Sequence, residues 1–289
     1  MSVNRICFGT STFVAGRLLP HKDSEPGLRA LVQALSDGLG WVHSNPALGT
    51  QWAVRTAWQR AGRPLLRHAV KVECPLSSGS SVRSRICRSI EESLGNLDVP
   101  CLRVAVIEID LKGTEDLAML VDTGRVRAFY EQAAHEVLAT GVVSEPFAYC
   151  HSIQHMATAM TVEAVAGFAA QFSPAEYWPR TFFPELETRG LPFLGMAPLW
   201  RGRLAAVSGL SGPAATAPIV WALSHPQVTQ AVVTMSSIDH WKGVMAAAGS
   251  RYDLMRERAD FEAWGLEWPP DDVGRVIPFV VSTRQPSDA

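Results

Sequence analysis

The most constraining feature of this sequence is a regular alternation of short apolar runs with longer stretches of helical period. After the run Arg5–Gly9, the residues Leu28, Leu31, Val32 and Leu35 follow the three-and-four spacing of one helix face. The runs predicted as strands are Arg5–Gly9, Gly40–His43, Leu65–Pro75, Arg103–Ile109, Val126–Tyr130, Pro146–His151, Leu191–Met196 and Thr229–Thr234. The predicted helices are Gly27–Gly38, Thr50–Gly62, Ser81–Asn96, Thr114–Thr123, Thr161–Gln171, Pro213–Ser224 and Ile238–Ala248. Strands that alternate with helices in this way predict a parallel sheet.

The number of strands decides which kind of parallel sheet is expected. Eight strands that alternate with helical segments within about 240 residues favour a closed (β/α)8 TIM barrel over an open sheet. No Gly-x-Gly-x-x-Gly turn follows the first strand, which counts against a doubly wound dinucleotide-binding sheet. We therefore predict one barrel domain over residues 1–268 and an extended, partly disordered tail over residues 269–289.

Charge and cysteine content exclude several classes of function. The formal net charge is −2 and no long basic run occurs, so a nucleic-acid binder is not expected. No stretch of about 18 apolar residues could span a bilayer, and the first residues lack a signal-peptide pattern. The cysteines are odd in number and form no CxxC pair, which is typical of reduced thiols in the cytoplasm. We predict a cytoplasmic protein, and its oligomeric state stays open.

One predicted strand carries a lysine in its middle. Lys71 lies between Val70 and Val72 within the run Leu65–Pro75. Burying an ammonium group costs several kcal/mol unless the group is paired or lies at an open strand end. A lysine at the strand tip, with its amine in water or in a structural ion pair, is one interpretation. We favour a functional role, because lysines in perturbed surroundings cluster in clefts.

Polar side chains also end or follow several other predicted strands. They are His43, Asn45, Lys71, Glu73, Glu108, Asp110, His151, Gln154 and His155. The C-terminal strand ends of such a barrel meet at one face, which carries active sites. We predict Lys71, Glu108 and His43, from neighbouring strands, as the catalytic residues. A readily deprotonated Lys71 could act as a general base or form a Schiff base. Purely structural roles for His43 and Glu108 stay open.

The same face is predicted to bind a small, partly hydrophobic molecule. Asn45 and His151 follow strands, while Trp41 and Trp200 lie near strand ends or in the loops after them and could line an apolar pocket. His151 and the histidine four residues later could imitate a metal site together with Glu108. No HExxH pattern is present, however, and no metal is predicted.

Several blocks of the sequence resemble the aldo/keto reductase superfamily in the expected order. They are GTSTF at Gly9–Phe13, DGLGWVHSNPALG at Asp37–Gly49, AVKV at Ala69–Val72, SIEESLGNLDVPCLRVAVIEID at Ser89–Asp110, TGRVRAF at Thr123–Phe129 and RGLPFLGMAPLWRGRLA at Arg189–Ala205. The resemblance covers roughly Ile6 to Ala247. It implies a (β/α)8 barrel that binds NADPH at the C-terminal ends of its strands and reduces carbonyl groups.

The family's four catalytic positions are mostly replaced in this chain. The lysine is retained as Lys71, but the family's aspartate falls at His43, its tyrosine at Leu48 and its histidine at Glu108. Leucine cannot donate a proton, and a positioned general acid contributes about 10²- to 10⁴-fold in rate. Leu48 is therefore predicted to contact substrate only. A glutamate at the histidine position is implied by the family to occur in members that reduce carbon–carbon double bonds.

The positions that hold the cofactor in the family are also altered. The serine-asparagine pair expected after strand five falls on Gln132 and Ala133. Ser236 and Ser237 are retained after strand eight, and Arg201 is available for phosphate contacts. No cofactor is favoured on these residues, and NADPH stays open.

Three functions remain. The favoured one is a repurposed barrel that uses Lys71, Glu108 and His43 for non-redox isomerisation, elimination or cyclisation, lyase or isomerase chemistry of the kind found in biosynthetic pathways. The second is a divergent NAD(P)H-dependent oxidoreductase in which His43 or Tyr130 replaces the missing acid. The third is a non-catalytic subunit that binds a small molecule or a partner, against which the retained Lys71 and Glu108 argue.

Overall fold

The computed structural model of the chain describes residues 3–14, 22–74, 79–111, 121–204, 216–253, 255 and 257–266. In this part of the chain, eight parallel strands form a closed barrel in sequence order, with helices around it. The predicted (β/α)8 barrel is therefore confirmed. The predicted tail and most of the predicted helix Thr114–Thr123 lie outside the described residues.

Every strand is followed by a helix. The strands are β1 Ile6–Gly9, β2 Trp41–Ser44, β3 Arg67–Cys74, β4 Leu102–Ile109, β5 Val143–Tyr149, β6 Gly167–Gln171, β7 Phe193–Met196 and β8 Val228–Thr234. The helices are α1 Glu25–Ser36, α2 Gln51–Arg60, α3 Gly79–Leu97, α4 Thr123–Ala139, α5 Ile153–Ala159, α6 Phe183–Arg189, α7 Ala217–Ser224 and α8 Ile238–Gly249, with α9 Glu257–Ala263 after them. No helix among the described residues is long and apolar enough to cross a membrane.

Two of the predicted elements are wrong. The predicted strand Val126–Tyr130 lies within α4, where Val126, Phe129 and Tyr130 are buried at helical spacing. The predicted helix Thr161–Gln171 instead contains β6, whose first four residues are buried. A short apolar run does not reveal its period, so a buried strand and a buried helix face were confused in each case. The strand count of eight was reached although one strand was misplaced and another missed.

The barrel interior is filled by side chains from alternate strand positions. They are Cys7, Trp41, Ala69, Val104, Val106, Phe147, Tyr149, Ala169, Leu194, Met196 and Val232. A larger core lies between the strands and the helices. Phe147 on β5 faces Gly167 on β6, and a Cβ at Gly167 would come within 2.5 Å of the phenyl ring. The glycine therefore makes room for the aromatic side chain inside the barrel.

A buried carboxylate links α9 to the body of the barrel. Glu257 accepts a hydrogen bond from Trp221 Nε1 at 2.7 Å and lies 3.3 Å from Arg180 Nη1. Arg180 belongs to the connection between β6 and α6. Glu257 therefore helps to fix the loop that leaves the mouth of the barrel after β6.

Candidate functional site

The C-terminal ends of β3 and β4 bring ionisable side chains together at the mouth of the barrel. Lys71 and Glu73 are two residues apart on β3, so their side chains point to the same face of the strand. In the parallel register, Lys71 pairs with Val106, and Glu73 pairs with Glu108 on β4. Glu108 is mostly buried at this mouth. Strand order and register thus place one ammonium group between two carboxylates.

Lys71 forms ion pairs with both carboxylates. Its Nζ contacts Glu108 Oε2 and lies 3.6 Å from Glu73 Oε1. It also lies 5.2 Å from the centre of the Tyr149 ring, a cation–π contact. Asn45 Nδ2 donates to Glu73 Oε1 at 2.6 Å and holds that carboxylate in place. Lys71 is thus held between two carboxylates and the face of an aromatic ring.

Glu108 is also next to a histidine. His151, two residues after β5, places Nε2 3.3 Å from Glu108 Oε1, although the alignment falls short of a hydrogen bond. Burial raises the pKa of Glu108, but the neighbouring His151 and the Lys71 ammonium outweigh burial and hold this pKa below its usual value. Glu108 is therefore an anion at neutral pH that faces both a cation and an imidazole.

His43 completes this group from β2. Burial, and to a smaller extent the charge of Lys71, lowers the pKa of His43 to about 4, while the charge of Glu108 opposes this change. Its ring is neutral at neutral pH. His43 Nε2 and His151 Nε2 are buried and make no hydrogen bond within the described part of the chain. Such a buried nitrogen costs about 1–3 kcal/mol when it stays unpaired, so His43 Nε2 is a natural contact for a bound polar group, whereas His151 Nε2 faces Glu108.

A narrow cleft adjoins this group on the side of β5 and β6. Its volume of about 10 Å³ has room for roughly one water. The residues that line the cleft are Tyr149, Cys150, His151, Gln171, Glu176 and Trp178. Side chains in the group keep limited access to solvent, since about 20% of Lys71 and 17% of His151 is exposed. Among the described residues, the cleft is narrow and is lined by both aromatic and polar side chains.

Only some of the residues predicted to bind substrate lie at the mouth of the barrel. Asn45 and His151 lie at the mouth, as the Glu73 and Glu108 contacts show. Leu48 lies in the short helix Pro46–Leu48 after β2, with 44% of its surface exposed. Trp41 does not lie at the mouth: it is the first residue of β2, pairs with Arg67 at the start of β3, and is buried inside the barrel. Its prediction was wrong because the strand direction places it at the opposite end from the active face.

The loop after β7 carries the other predicted tryptophan and the predicted phosphate-binding arginine. Trp200 is half-buried near the Glu176 carboxylate; burial raises the pKa of Glu176, and Trp200 with the charges of Arg201 and Arg203 opposes that change. Arg201 is exposed, and Arg203 lies over the Trp200 ring at 5.1 Å. Trp200 and Arg201 both have positive φ, which favours glycine and stores backbone strain. This loop therefore borders the cleft, with its cations towards solvent.

Of the residues at predicted cofactor positions, Ser236 and Ser237 lie directly before α8, whereas Gln132 and Ala133 lie within α4. Ser237 caps α8 by accepting a hydrogen bond from the His240 backbone N–H at 3.2 Å, and the Ser236 hydroxyl lies 3.1 Å from His240 Nδ1. Gln132 and Ala133 were placed wrongly, because they lie in the middle of α4 and do not follow a strand. Within the described chain, no group of three or more His, Cys, Asp or Glu side chains is arranged to hold a metal.

Several residues of the site were missed by the sequence interpretation. Tyr149 could have been identified, because it is the last inward position of a strand that was predicted. Gln171 and Glu176 could not have been identified, because the sequence pattern predicts a helix where β6 lies. The loop after β6 is therefore not expected at the mouth of the barrel. Glu73 had a signal in its position two residues after Lys71, but we did not assign it a role.

Comparison with solved structures places this barrel among known folds. Two aldo-keto reductases from Klebsiella pneumoniae, in complexes with NADPH and with NADP plus acetate, align with TM-scores of 0.70 and 0.69 at 17% and 15% identity. The alignments cover 94% of both chains in the first case and 92% of this chain and 93% of the other in the second. The holo form of an aldo-keto reductase from Bacillus halodurans aligns with a TM-score of 0.65 at 16% identity, over 90% of this chain and 91% of the other. Neither a protein-family model nor a curated protein matches the sequence. The predicted resemblance is confirmed as a likeness of fold.

Proposed function

We propose that this barrel is an enzyme that catalyses non-redox proton transfer on a small, partly hydrophobic carbonyl compound. The reaction begins with removal of a proton from the carbon next to the carbonyl group, as in isomerisation or elimination. The observation that carries the proposal is the buried contact of Glu108 with both Lys71 and His151 at the mouth of the barrel. An anion, a cation and an imidazole in one mostly buried group are the parts that acid–base catalysis needs.

His151 is the proposed base. A proton on the Nε2 atom, which faces Glu108, leaves Nδ1 as the proton acceptor, and the carboxylate stabilises the imidazolium that forms. This carboxylate-imidazole pair works as in other enzymes where an acidic side chain orients a histidine. The same ring then gives the proton back, to another carbon of the product in an isomerisation or to the departing group in an elimination.

Lys71 is the proposed group that stabilises the negative oxygen formed when the proton leaves. An ammonium group has three N–H donors, and the two carboxylates beside Lys71 leave one for the substrate oxygen. Charge held in place before the reaction stabilises a developing oxyanion without reorganisation. The neutral His43 ring, with an unpaired Nε2 next to this pair, contributes a second polar contact to the same substrate.

The experiment follows solvent exchange and does not require the product to be identified. A panel of small carbonyl compounds is incubated with the protein in D2O without nicotinamide, and proton NMR records the loss of signals from protons next to the carbonyl. We expect at least one compound to exchange faster with the protein. His151→Gln should reduce that exchange by about 10²- to 10⁴-fold.

The controls for this experiment are matched to the proposed residues. His135→Gln changes an exposed histidine of α4, and Lys242→Met, an exposed lysine of α8, is the control for Lys71→Met. Both controls should keep the wild-type exchange rate. Exchange that survives both His151→Gln and Lys71→Met would exclude the proposed roles.

An NADPH-dependent oxidoreductase is the second candidate, favoured by the fold shared with NADP(H)-bound reductases over more than 90% of the chain. Arg201, Ser236 and Ser237 would hold the phosphates, and the cofactor would supply a hydride. Asp239 in the first turn of α8 opposes a phosphate at that helix end. The family's tyrosine is replaced by Leu48, which cannot supply the proton. For these reasons we rank the reductase second.

A further inference from the structure

A buried hydrogen-bond relay lies directly behind the mouth. His155 on α5 is fully buried, and so is Tyr130 on α4. The Tyr130 hydroxyl donates to the Tyr149 carbonyl at 2.8 Å and lies 2.9 Å from His155 Nε2. The His151 backbone N–H donates to His155 Nδ1 at 3.2 Å. The relay therefore holds the main chain at two points at the end of β5, Tyr149 and His151.

Donor counting fixes the protonation state of His155. The single Tyr130 hydroxyl proton is used on the Tyr149 carbonyl, so the Tyr130 oxygen must accept a hydrogen bond from His155 Nε2–H. His155 Nδ1 accepts the His151 N–H and carries no proton. Both nitrogens are satisfied only in the neutral Nε2–H tautomer, and burial followed by the nearby His151 lowers the pKa of His155 to about 3.

Ring contacts extend the relay to the proposed base. The His151 ring lies between the Tyr149 ring, 5.0 Å away, and the His155 ring, which is stacked 5.8 Å away. Ser152 caps α5 by accepting the His155 backbone N–H at 3.1 Å, which fixes the start of the helix that carries His155. The position of the His151 ring towards Glu108 therefore depends on His155 at two points, its ring face and its Nδ1.

We propose that His155 is a positioning residue that holds His151 in register with Glu108 through the neutral Nε2–H tautomer. The catalytic consequence rests on the proposed function of His151, but the positioning does not. Loss of the relay frees the His151 main chain and ring and separates the imidazole from the carboxylate. Outer residues of this kind commonly change activity by roughly 10- to 100-fold when they are replaced.

Two substitutions separate hydrogen bonding from packing. In His155→Gln, the amide oxygen can accept from His151 N–H while the amide nitrogen donates to Tyr130. His155→Phe keeps a stacked ring but makes neither hydrogen bond. Nitrogen-15 NMR of the histidine rings and hydrogen exchange of the His151 amide report positioning without any substrate, and circular dichroism reports the fold.

The expected results differ for each protein. Wild-type His155 should show a proton on Nε2 only, and the His151 amide should be protected from exchange. His155→Phe should lose that protection by at least about tenfold and reduce carbonyl-proton exchange by roughly 10- to 100-fold. His155→Gln should restore most of the His151 amide protection and most of the carbonyl-proton exchange rate. A wild-type proton on Nδ1, or equal behaviour of a folded His155→Phe and His155→Gln, would overturn the proposal. Normal positioning in the NMR measurements with no catalysed exchange of any compound would count against the proposed function alone.

Discussion

His68 allows a stability prediction that can be worked out from the structure. It lies on β3, is 4% exposed, and has no hydrogen-bond partner at either ring nitrogen within the described residues. The ring meets Trp58 edge-on, 6.4 Å between centroids at 87°. The substitution His68→Phe keeps this aromatic contact and removes two unpaired polar atoms. At pH 7.5 we expect the variant to unfold with a free energy about 1–3 kcal/mol higher than the wild type.

Low pH should increase the difference in the free energy of unfolding between His68→Phe and the wild type. Burial lowers the pKa of His68 to about 4 from an ordinary value of 6.5. The unfolded chain therefore binds this proton more tightly than the native protein, and stability present above pH 6.5 is lost as the pH falls towards 4. Between pH 7.5 and pH 5 this linkage costs the wild type about 2 kcal/mol, and it is absent from His68→Phe.

Urea unfolding at pH 7.5 and pH 5 measures both parts of this prediction. The stability gap between His68→Phe and the wild type should be about 1–3 kcal/mol at the higher pH and larger by about 2 kcal/mol at the lower one. His135→Gln, at an exposed histidine, controls for the general effect of losing an imidazole. A gap that does not change between the two pH values would refute the reasoning, because His68 would then titrate alike in both states.

Two further substitutions test packing at other points. Gly167→Ala should lower the free energy of unfolding by about 1–3 kcal/mol, because the new methyl group meets the Phe147 ring; an unchanged denaturant midpoint would show that the ring can move aside at little cost. Glu257→Ala leaves the buried Trp221 N–H without its acceptor and Arg180 without its partner, so thermal unfolding should show a loss of about 1–3 kcal/mol, while Glu257→Gln should lose less. Equal effects of the two Glu257 substitutions would contradict the role given to the Trp221 hydrogen bond.

The barrel, and the proximity of three polar side chains at its mouth, could be predicted from the sequence for simple physical reasons. Parallel strands end at one face, and side chains two residues apart share a side, so Lys71, Glu108 and His43 had to meet once their strands were recognised. By the same rule, Trp41, which is the first residue of β2, lies at the end of the barrel opposite the mouth. The simultaneous contact of Lys71 with Glu73 and Glu108 could not be predicted from the sequence, because it depends on side-chain conformation.

Several other errors came from the misplaced fifth strand. Because Val126–Tyr130 was taken for a strand, Tyr130 was expected at the mouth, and Gln132 and Ala133 were expected after a strand end. In the helix, Tyr130 lies behind the mouth and reaches His155 on the next helix. Contacts between two outer helices depend on their rotation and separation, which hydrophobic period alone does not fix. The hydrogen bonds of the relay could therefore not be predicted from the sequence.

We propose that the mouth of this barrel performs proton transfer without a hydride donor. Titration of the protein with NADPH, and separately with NADH, tests it most directly, with thermal unfolding and nicotinamide fluorescence as readouts. A ligand bound only by the native state stabilises it by about 2.7 kcal/mol at a hundredfold excess over Kd, a shift of several degrees in Tm. We expect no change in Tm and no change in nicotinamide fluorescence at millimolar cofactor. A clear shift in both readouts, lost in Arg201→Ala, would contradict it and make the oxidoreductase the function of this site.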